Sequence, residues 1–325
     1  MMAELMKSVW LEENKISLRQ VPIPSSPQEA LVKIRLAGIC ATDLELIKGY
    51  YPYRGILGHE FVGDVVGLGE EVADQTQWLG RRVVGEINVR CGRCENCKGL
   101  RENHCENRSV LGIVNRNGVH AEYTTLPLQN LQVVPESISD EKAVFTEPIG
   151  AALEILQKVH IKPTDNVLVI GGGRLGHLIA QVLLLTGANL RVLAKYQNQI
   201  EQLVMRDIRP IRESELSKPI WDVVVEATGS STGFELARMM IRPEGKLILK
   251  STYKGNLEVN LSSIVVQELH IIGSRCGPFG PALRLMEAEK IDPTLMIDSV
   301  YSLNDSMAAY ERAVAKGALK VLIRP

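Results

Sequence analysis

An apolar segment that ends in a cluster of glycines constrains the fold more than any other part of this sequence. Residues 167–170 are apolar, Gly171, Gly173 and Gly176 follow with G-x-G-x-x-G spacing, and residues 177–186 have a helical apolar pattern. Glycines at these positions let the backbone approach a pyrophosphate at the amino terminus of a helix. Methyltransferases and flavoproteins carry similar loops, but the strand–turn–helix context predicts a dinucleotide-binding domain.

Alternating strands and helices continue after this loop. Strands are predicted over 190–194, 222–229, 245–250 and 269–274, and a helix over 234–241. Such alternation predicts an α/β fold with a doubly wound parallel sheet, whose ligands bind at the carboxyl ends of the strands. Further helices are predicted over 281–290 and 304–316, before a closing strand over 319–323 that should return to the first domain.

The first part of the chain has a different pattern. A strand and hairpin are predicted over 7–20, and residues 30–36 alternate between apolar and charged side chains as a half-buried strand does. Strands over 61–67 and 81–85, a short helix over 43–49 and alternating residues in 118–134 follow. Short strands separated by Gly and Pro predict a small β-barrel-like domain.

Composition excludes several classes of protein. The chain has 325 residues, of which 45% are hydrophobic and 23% charged, which is close to the globular average. The formal net charge of −1 gives no electrostatic footprint for nucleic acid or an anionic membrane. No apolar run reaches the roughly 20 residues of a membrane helix, and residues 1–7 lack a signal-peptide pattern. We therefore expect a cytoplasmic protein without nucleic-acid or membrane partners.

Four of the six cysteines are clustered, as expected for a metal site. They are Cys91, Cys94, Cys97 and Cys105. Four thiolates can close a tetrahedral structural zinc site, and they also suit an iron–sulfur cluster. A zinc-finger-like nucleic-acid binder would need a basic face here, but acidic residues offset the basic ones in this lobe.

A second group of metal-binding residue types lies between positions 40 and 60. Cys40 is a thiolate donor, His59 an imidazole donor, and the oxygen donors are Thr42, Asp43 and Glu60. Catalytic zinc sites use thiolate, imidazole and carboxylate ligands and keep one position open. Glu147 precedes a proline where a helix should begin, so it is either a helix-terminal carboxylate or a third zinc ligand.

The residue that follows the predicted strand over 190–194 indicates which cofactor the chain binds. NAD-binding domains usually place an acid there, which binds the ribose hydroxyls. This chain has Lys195, and no acid follows before Glu201. A lysine suits a 2′-phosphate, so NADP is favoured over NAD.

Together these residues resemble the medium-chain, zinc-dependent alcohol dehydrogenase superfamily, in its sorbitol- and threonine-dehydrogenase-like branch. The resemblance covers nearly the whole chain. The motifs that carry it, in family order, are residues 38–43 and 58–60, the four-cysteine lobe, 146–148, 171–176, 226–229 and 320–322. It implies a GroES-like catalytic domain over 1–148 with the zinc lobe at 91–105, a Rossmann domain over 149–276, and a return to the catalytic domain over 277–325.

The resemblance also implies roles for individual residues and two zinc ions per chain. Cys40, His59 and Glu147 would bind catalytic zinc, with Glu60 behind or on the metal. Asp43 would orient His59, and Thr42 would take the substrate's proton. The four clustered cysteines would bind structural zinc. Cofactor contacts are expected from Gly171, Gly173, Arg174, Leu175, Gly176, Lys195, Thr228, Ser274 and Lys320.

The implied activity is hydride transfer between an alcohol or polyol, or the matching carbonyl compound, and a nicotinamide cofactor. The alternative is a catalytically silent member that binds NADP and zinc in a sensing or structural role. Glu45 stands where the family often has a proton-relaying histidine, which leaves the proton's exit route open. The family commonly forms homodimers or homotetramers, and we expect one of these states.

Overall fold

The computed structural model describes residues 4–252 and 255–325, which divide into two units. The first unit contains residues up to Glu147, Phe279–Val314 and Lys320–Pro325. The second contains Pro148–Pro278 and Ala315–Leu319. In sequence, each of the two segments of the second unit is thus flanked by segments of the first.

The strands of the described residues are labelled β1 to β18 in chain order. They are Leu5–Glu12, Lys15–Pro22, Ala30–Gly38, Gly55–Ile56, Glu60–Leu68, Arg82–Gly85, Asn88–Val89, Ser109–Val110, Tyr123–Leu126, Leu131–Val133, Asn166–Ile170, Asn189–Leu193, Pro210–Ile211, Trp221–Glu226, Ile241–Leu249, His270–Gly273, Ile297–Ser302 and Lys320–Arg324.

The α-helices are labelled α1 to α10 in the same way. They are Ala41–Ile47, Glu95–Lys98, Asp140–Ala143, Thr146–Lys158, Arg174–Leu184, Gln197–Val204, Ser231–Met240, Leu261–Val266, Phe279–Glu287 and Ser306–Val314. Short 3₁₀ helices are Glu70–Val72, Thr76–Trp78, Glu102–His104, Leu128–Asn130, Glu213–Glu215, Thr294–Met296 and Leu303–Asp305. Among the described residues no helix has the length and apolar character needed to cross a membrane.

The main sheet of the first unit is built around β3. Its strand order is β10-β6-β5-β3-β18-β17, and β9 also pairs with β3. Val32, Ile34 and Leu36 of β3 are buried, while Lys33 and Arg35 are exposed, so the predicted alternation is confirmed. β18 pairs antiparallel with the end of β3, which places the carboxyl-terminal strand beside the residues that lead to Cys40.

A hairpin of β1 and β2 confirms the strand and hairpin predicted over residues 7–20. Glu13 and Asn14 at its turn have φ values of 49° and 61°, the left-handed conformation that two-residue hairpins favour. Val9 and Leu11 of β1 are buried in one hydrophobic cluster with Ile39. The residue just before Cys40 is therefore anchored in the core of the first unit.

The second unit contains a six-stranded sheet in the order β13-β12-β11-β14-β15-β16, and all its neighbouring strands pair in parallel. Renumbered within the sheet, this is the order 3-2-1-4-5-6 of a dinucleotide-binding fold. The predicted doubly wound parallel sheet is confirmed. Its core contains Leu168 and Ile170 of β11, Val224 of β14 and Leu247 of β15.

Several helices begin earlier than the sequence pattern predicted, and α1 and α5 show the reason. α1 begins at Ala41 rather than residue 43, because Asp43 caps the helix from within its first turn. α5 begins at Arg174 rather than residue 177, directly after Gly173. In both helices the first turn carries polar residues. The apolar pattern therefore starts several residues after the first residue of the helix.

Candidate active site and metal centres

Cys40 and Asp43 lie at the amino terminus of α1, directly after β3. Cys40 occupies the N-cap position with extended backbone, and Asp43 is the third residue of the helix. Asp43 is completely buried, and one carboxylate oxygen accepts a 2.8 Å hydrogen bond from the Cys40 backbone N–H. Its other oxygen accepts from the Gly58 backbone N–H at 3.2 Å. Asp43 therefore ties together the two backbone segments that carry Cys40 and His59.

The His59 ring is buried next to Asp43. Its Nδ1 atom lies 3.4 Å from an Asp43 carboxylate oxygen. Burial by itself would lower the pKa of His59, but the charges of Asp43 and Cys40 raise it well above its ordinary value. The negative field that favours a proton on this ring also favours a metal cation beside it.

Three predicted metal ligands come together in the first unit. One ligand atom each from Cys40, His59 and Glu60 lies within 4.8 Å of the others. Thr42 Oγ1 lies 3.7 Å from the Cys40 sulfur, so the predicted proton acceptor is beside this group. Among the described residues the group does not include Glu147, the second residue of α4. The role of Glu147 as a zinc ligand stays a prediction.

The two carboxylate oxygens of Glu60 have different surroundings. One oxygen pairs with Lys320 Nζ, and both side chains are buried. The other oxygen is buried without a hydrogen-bond partner in the structure. Lys320 Nζ also lies 5.5 Å from the centroid of the Phe145 ring. The predicted contact of Lys320 with cofactor phosphates stays a prediction.

The second candidate metal centre consists of the four clustered cysteines. Their sulfur atoms all lie within 4.8 Å of one another, and Cys94 Sγ is 3.5 Å from Cys97 Sγ and 3.8 Å from Cys105 Sγ. Zn–S bonds of about 2.3 Å place tetrahedral sulfurs about 3.8 Å apart, whereas a disulfide holds them at about 2.05 Å. The geometry fits a single tetrahedral ion and leaves no room for a cluster of several irons.

The backbone and the neighbouring sulfurs set the acidity of these thiols. Backbone N–H groups of Arg93 and Cys94 lower the pKa of Cys91 to about 6. Burial, followed by the sulfurs of Cys94 and Cys105, raises the pKa of Cys97 to about 12. All four sulfurs at this spacing become thiolates only with a cation between them, which agrees with a candidate metal centre.

The glycine loop follows β11 and has the shape that phosphate binding requires. Gly171 has a φ of +113°, and a Cβ there would lie 2.8 Å from the Ala227 carbonyl oxygen. A Cβ on Gly176 would collide with the Gly171 carbonyl oxygen, so helix and loop pack too closely for a side chain. Gly173 is the N-cap of α5 and faces open space, which leaves room at the amino terminus of the helix.

The other predicted cofactor residues of the second unit lie around its sheet. Arg174 donates to the Leu319 carbonyl oxygen at 2.6 Å, and half-buried Leu175 follows it in α5. Lys195 is exposed, two residues after β12. Thr228 and Ser274 follow β14 and β16, respectively. Gly171, Lys195, Thr228 and Ser274 thus share the carboxyl edge of the sheet, where doubly wound folds bind ligands.

Two charged residues at this edge, Glu226 and Lys250, were not among the predicted site residues, although residue 226 belongs to one of the family motifs. Glu226 is buried at the end of β14 and accepts hydrogen bonds from the Thr228 backbone N–H at 2.7 Å and hydroxyl at 2.6 Å. Lys250 Nζ donates to the Ala151 and Arg275 carbonyl oxygens at 2.7 and 2.9 Å and to Ser274 Oγ at 3.2 Å. A charged residue that ends an otherwise apolar strand is the signal that could have identified both.

Comparison with known proteins supplies the family. Residues 26–136 match the alcohol dehydrogenase GroES-like domain. An L-galactonate-5-dehydrogenase of Escherichia coli K12 is 30% identical in an alignment 313 residues long, which covers 91% of this chain and 91% of that protein. The chain belongs to the zinc-dependent medium-chain alcohol dehydrogenase superfamily. It is a dehydrogenase, and the family predicted from its motifs is confirmed.

Solved structures of superfamily members share its fold. A protein described as a zinc-binding dehydrogenase from Sinorhizobium meliloti 1021, bound to NADP, is 30% identical and has a TM-score of 0.89, with 99% of this chain and 100% of that chain covered. An alcohol dehydrogenase from Escherichia coli CFT073, complexed with NADH, is 27% identical with a TM-score of 0.90 and the same coverage. The predicted combination of GroES-like and Rossmann domains is confirmed.

Proposed function

We propose that this superfamily member is a zinc-dependent dehydrogenase that oxidises an alcohol or polyol with NADP, or reduces the matching carbonyl compound. The observation that carries this proposal is the convergence of Cys40, His59 and Glu60 within 4.8 Å. Thr42, whose hydroxyl can exchange a proton, lies beside them at 3.7 Å from the Cys40 sulfur. Soft, borderline and hard donors together suit zinc better than magnesium or calcium, which prefer oxygen ligands.

Cys40 and His59 hold the catalytic zinc in this proposal, with Glu147 as third ligand. The unpartnered, buried oxygen of Glu60 supports a cation at this place, because a bare carboxylate oxygen is costly to bury. Asp43 faces His59 Nδ1, so it favours a proton on that nitrogen and leaves Nε2 to bind metal. A zinc ion bound there supplies a Lewis acid that lowers the pKa of a substrate hydroxyl.

The residues of the chain orient the substrate and move its proton. Thr42 takes the hydroxyl proton of the alcohol while it passes its own hydroxyl proton on towards solvent, and the same two transfers run in reverse during carbonyl reduction. Asp43 remains ionised and holds both ligand-bearing segments in place through its bonds to Cys40 and Gly58. Burial of Asp43 and His59 keeps water from competing with these contacts.

The four-cysteine centre has a separate role in the proposal. Four thiolates complete a tetrahedral shell and leave no position for substrate, so a zinc ion here is structural. Cys91, Cys94, Cys97 and Cys105 span a segment whose regular structure is limited to short helices. A metal cross-link supplies the stability that so small a lobe lacks in hydrophobic core.

NADP is the proposed hydride acceptor, and two basic residues near the carboxyl end of β12, where NAD-binding domains usually have a ribose-binding acid, support this choice. Lys195 follows β12, and Arg212 follows β13, the strand that pairs with β12. Arg212 lies 3.3 Å from the side-chain oxygen of Gln197, the first residue of α6, so its guanidinium is beside that helix amino terminus. The S. meliloti relative binds NADP, whereas the E. coli CFT073 relative binds NADH, so the proposed preference for NADP rests on these two basic residues.

The proposed substrates are polyols, sugar acids and hydroxy-amino acids. The relatives include L-galactonate-5-, sorbitol and L-threonine 3-dehydrogenases, whose named substrates all carry a secondary hydroxyl with polar neighbours. We also propose a homodimer or homotetramer, which light scattering after size-exclusion chromatography would distinguish.

A screen of alcohols, polyols, sugar acids and hydroxy-amino acids with both nicotinamide cofactors tests the proposal. We expect reduced cofactor to accumulate with one of these substrate classes and two zinc ions per chain in the active protein. Cys40→Ala should lose one zinc and turnover, and Thr42→Val should lose turnover while it keeps both zinc ions. A Cys40→Ala protein that holds one zinc and remains active would contradict the proposal.

A further inference from the structure

A buried histidine and tyrosine lie next to the proposed zinc site, and the mechanism above does not use them. His120 is completely buried between β8 and β9, and Tyr310 of α10 is 3% exposed. His120 Nδ1 lies 2.8 Å from the Tyr310 hydroxyl oxygen. Neither residue was identified by sequence pattern, because a lone histidine in a strand-like segment is more often an ordinary buried residue.

The His120 ring contacts both backbone segments that lead to the proposed zinc ligands. Its Nε2 atom lies 3.1 Å from the carbonyl oxygen of Gly38, two residues before Cys40. The ring also packs directly on Gly58, where an added Cβ would lie 2.6 Å from His120 Nε2. Since Gly58 directly precedes His59, one imidazole ring spans the two segments.

The hydrogen bonds determine the tautomer of His120. The Gly38 carbonyl can only accept a hydrogen bond, so Nε2 carries the hydrogen. Nδ1 is then an acceptor, and the Tyr310 hydroxyl donates to it. Burial lowers the pKa of His120, which favours this neutral form. Tyr310 thus aims the Nε2–H group at Gly38.

The main chain of His120 is fixed as firmly as its ring. The backbone N–H of His120 donates to the Leu57 carbonyl oxygen at 2.9 Å, and its carbonyl oxygen accepts from the Val9 N–H at 2.8 Å. Val9 lies in the core of the first unit. Because the backbone cannot shift, the ring sets where the Gly38 carbonyl and Gly58 can lie.

We propose that His120, held in one tautomer by Tyr310, is a positioning residue that fixes the spacing of Cys40 and His59 for zinc. The inference rests on the proposed function, because it needs zinc at these two residues. Asp43 ties the same two segments through backbone N–H groups, and His120 ties them through a carbonyl and a glycine face. Asp43 and His120 thus both hold Cys40 and His59 at the spacing that zinc needs. The affinity of this site for zinc therefore depends on both residues.

Release of zinc to a chromogenic chelator tests this inference. His120→Phe keeps a planar ring but removes both hydrogen bonds, and we expect zinc release from the Cys40 site to accelerate by about 10- to 100-fold, the usual effect of losing a ligand-orienting contact. His120→Gln keeps an N–H donor near the Nε2 position and should restore slow release. Zinc in the four-cysteine centre should leave at the wild-type rate in every variant and serves as the internal reference.

Matched variants separate positioning from general destabilisation. Arg82→Met removes hydrogen bonds elsewhere in the first unit, to the carbonyl oxygens of Pro135 and Ile138 and to the carboxylate of Asp140. Equal acceleration in Arg82→Met, or wild-type release in His120→Phe, would overturn the inference. If His120→Phe does not fold, Tyr310→Phe keeps both rings, and wild-type release from that variant overturns it instead. If Cys40→Ala holds as much zinc as the wild-type protein, the proposed function is refuted. If Cys40→Ala loses one zinc ion but the release rates are not as expected, the inference about His120 alone is refuted.

Discussion

Lys320 and Glu60, which are 260 residues apart in the sequence, form an ion pair with side chains only 2% and 1% exposed. Lys320 begins β18 and Glu60 begins β5, and β3 lies between these strands in the sheet. A Cβ on Gly38, at the end of β3, would collide with the Glu60 carboxylate. The pair is therefore packed over the end of the strand that leads to Cys40, so its loss affects both stability and the proposed site.

Lys320→Met should lower the free energy of unfolding by about 3–5 kcal/mol, because the buried Glu60 oxygen that pairs with Lys320 would lose its cationic partner. Chemical denaturation of the zinc-loaded protein measures this change. The double variant Lys320→Met/Glu60→Gln removes both charges and should recover part of the loss. If the double variant is no more stable than Lys320→Met, an uncompensated Glu60 charge is not the cause.

Cys97→Ser should remove the structural zinc and leave the catalytic one. The sulfur of Cys97 lies 3.5 Å from that of Cys94, so its loss opens the tetrahedral shell. We expect one zinc fewer per chain by atomic emission and faster proteolysis within residues 91–105. Cys276→Ser is the matched control, since Cys276 belongs to neither metal-binding group and this variant should keep both ions. Unchanged zinc content in Cys97→Ser would refute the structural site.

Lys195→Ala and Arg212→Ala should each lower kcat/KM for NADP by about tenfold, the loss expected for one charge-assisted hydrogen bond to a phosphate. The kcat/KM for NAD should change little, because NAD lacks the 2′-phosphate. Steady-state kinetics with both cofactors measures the ratio. Lys218→Ala removes an exposed lysine just before β14, at the opposite edge of the sheet, and should leave the ratio unchanged. An equal fall for NAD and NADP would contradict the assignment.

Glu29→Gln should destabilise the protein at neutral pH but have less effect in acid. Burial raises the pKa of Glu29, but Arg116, with oxygen contacts of 2.8 and 3.0 Å, lowers it by more, so the folded-state pKa lies below the usual value. Such a group stabilises the fold above its unfolded pKa of about 4.3 and loses that contribution as pH falls through the folded value. The difference in unfolding free energy between wild type and Glu29→Gln should therefore shrink below about pH 4.

The control for this prediction is Glu141→Gln. Glu141 pairs with Arg324 at 3.3 Å, but both side chains are well exposed, so that variant should change stability little at any pH. A pH-independent difference for Glu29→Gln would indicate lost packing rather than a lost ion pair.

Local sequence patterns predicted those features that neighbouring residues create. The alternation in residues 30–36 identified β3, and the glycine spacing after residue 170 identified the turn into α5. The spacing of Cys91, Cys94 and Cys97 indicated a metal centre, because residues this close can converge on one ion in almost any fold. Each of these signals lies within one strand, turn or loop, so no knowledge of the tertiary fold was required.

Contacts between residues that are far apart in the sequence could be identified only from the tertiary structure. Residue order alone could not predict that Lys320 pairs with Glu60, or that His120 joins Tyr310 to the Gly38 carbonyl. These contacts depend on how β18 and α10 pack in the first unit, which follows from the burial of the whole unit and not from local spacing. The sequence by itself determined which side chains could bind zinc and a dinucleotide. The tertiary structure determined which buried partners hold those side chains in place, because burial brings together residues that are far apart in the chain.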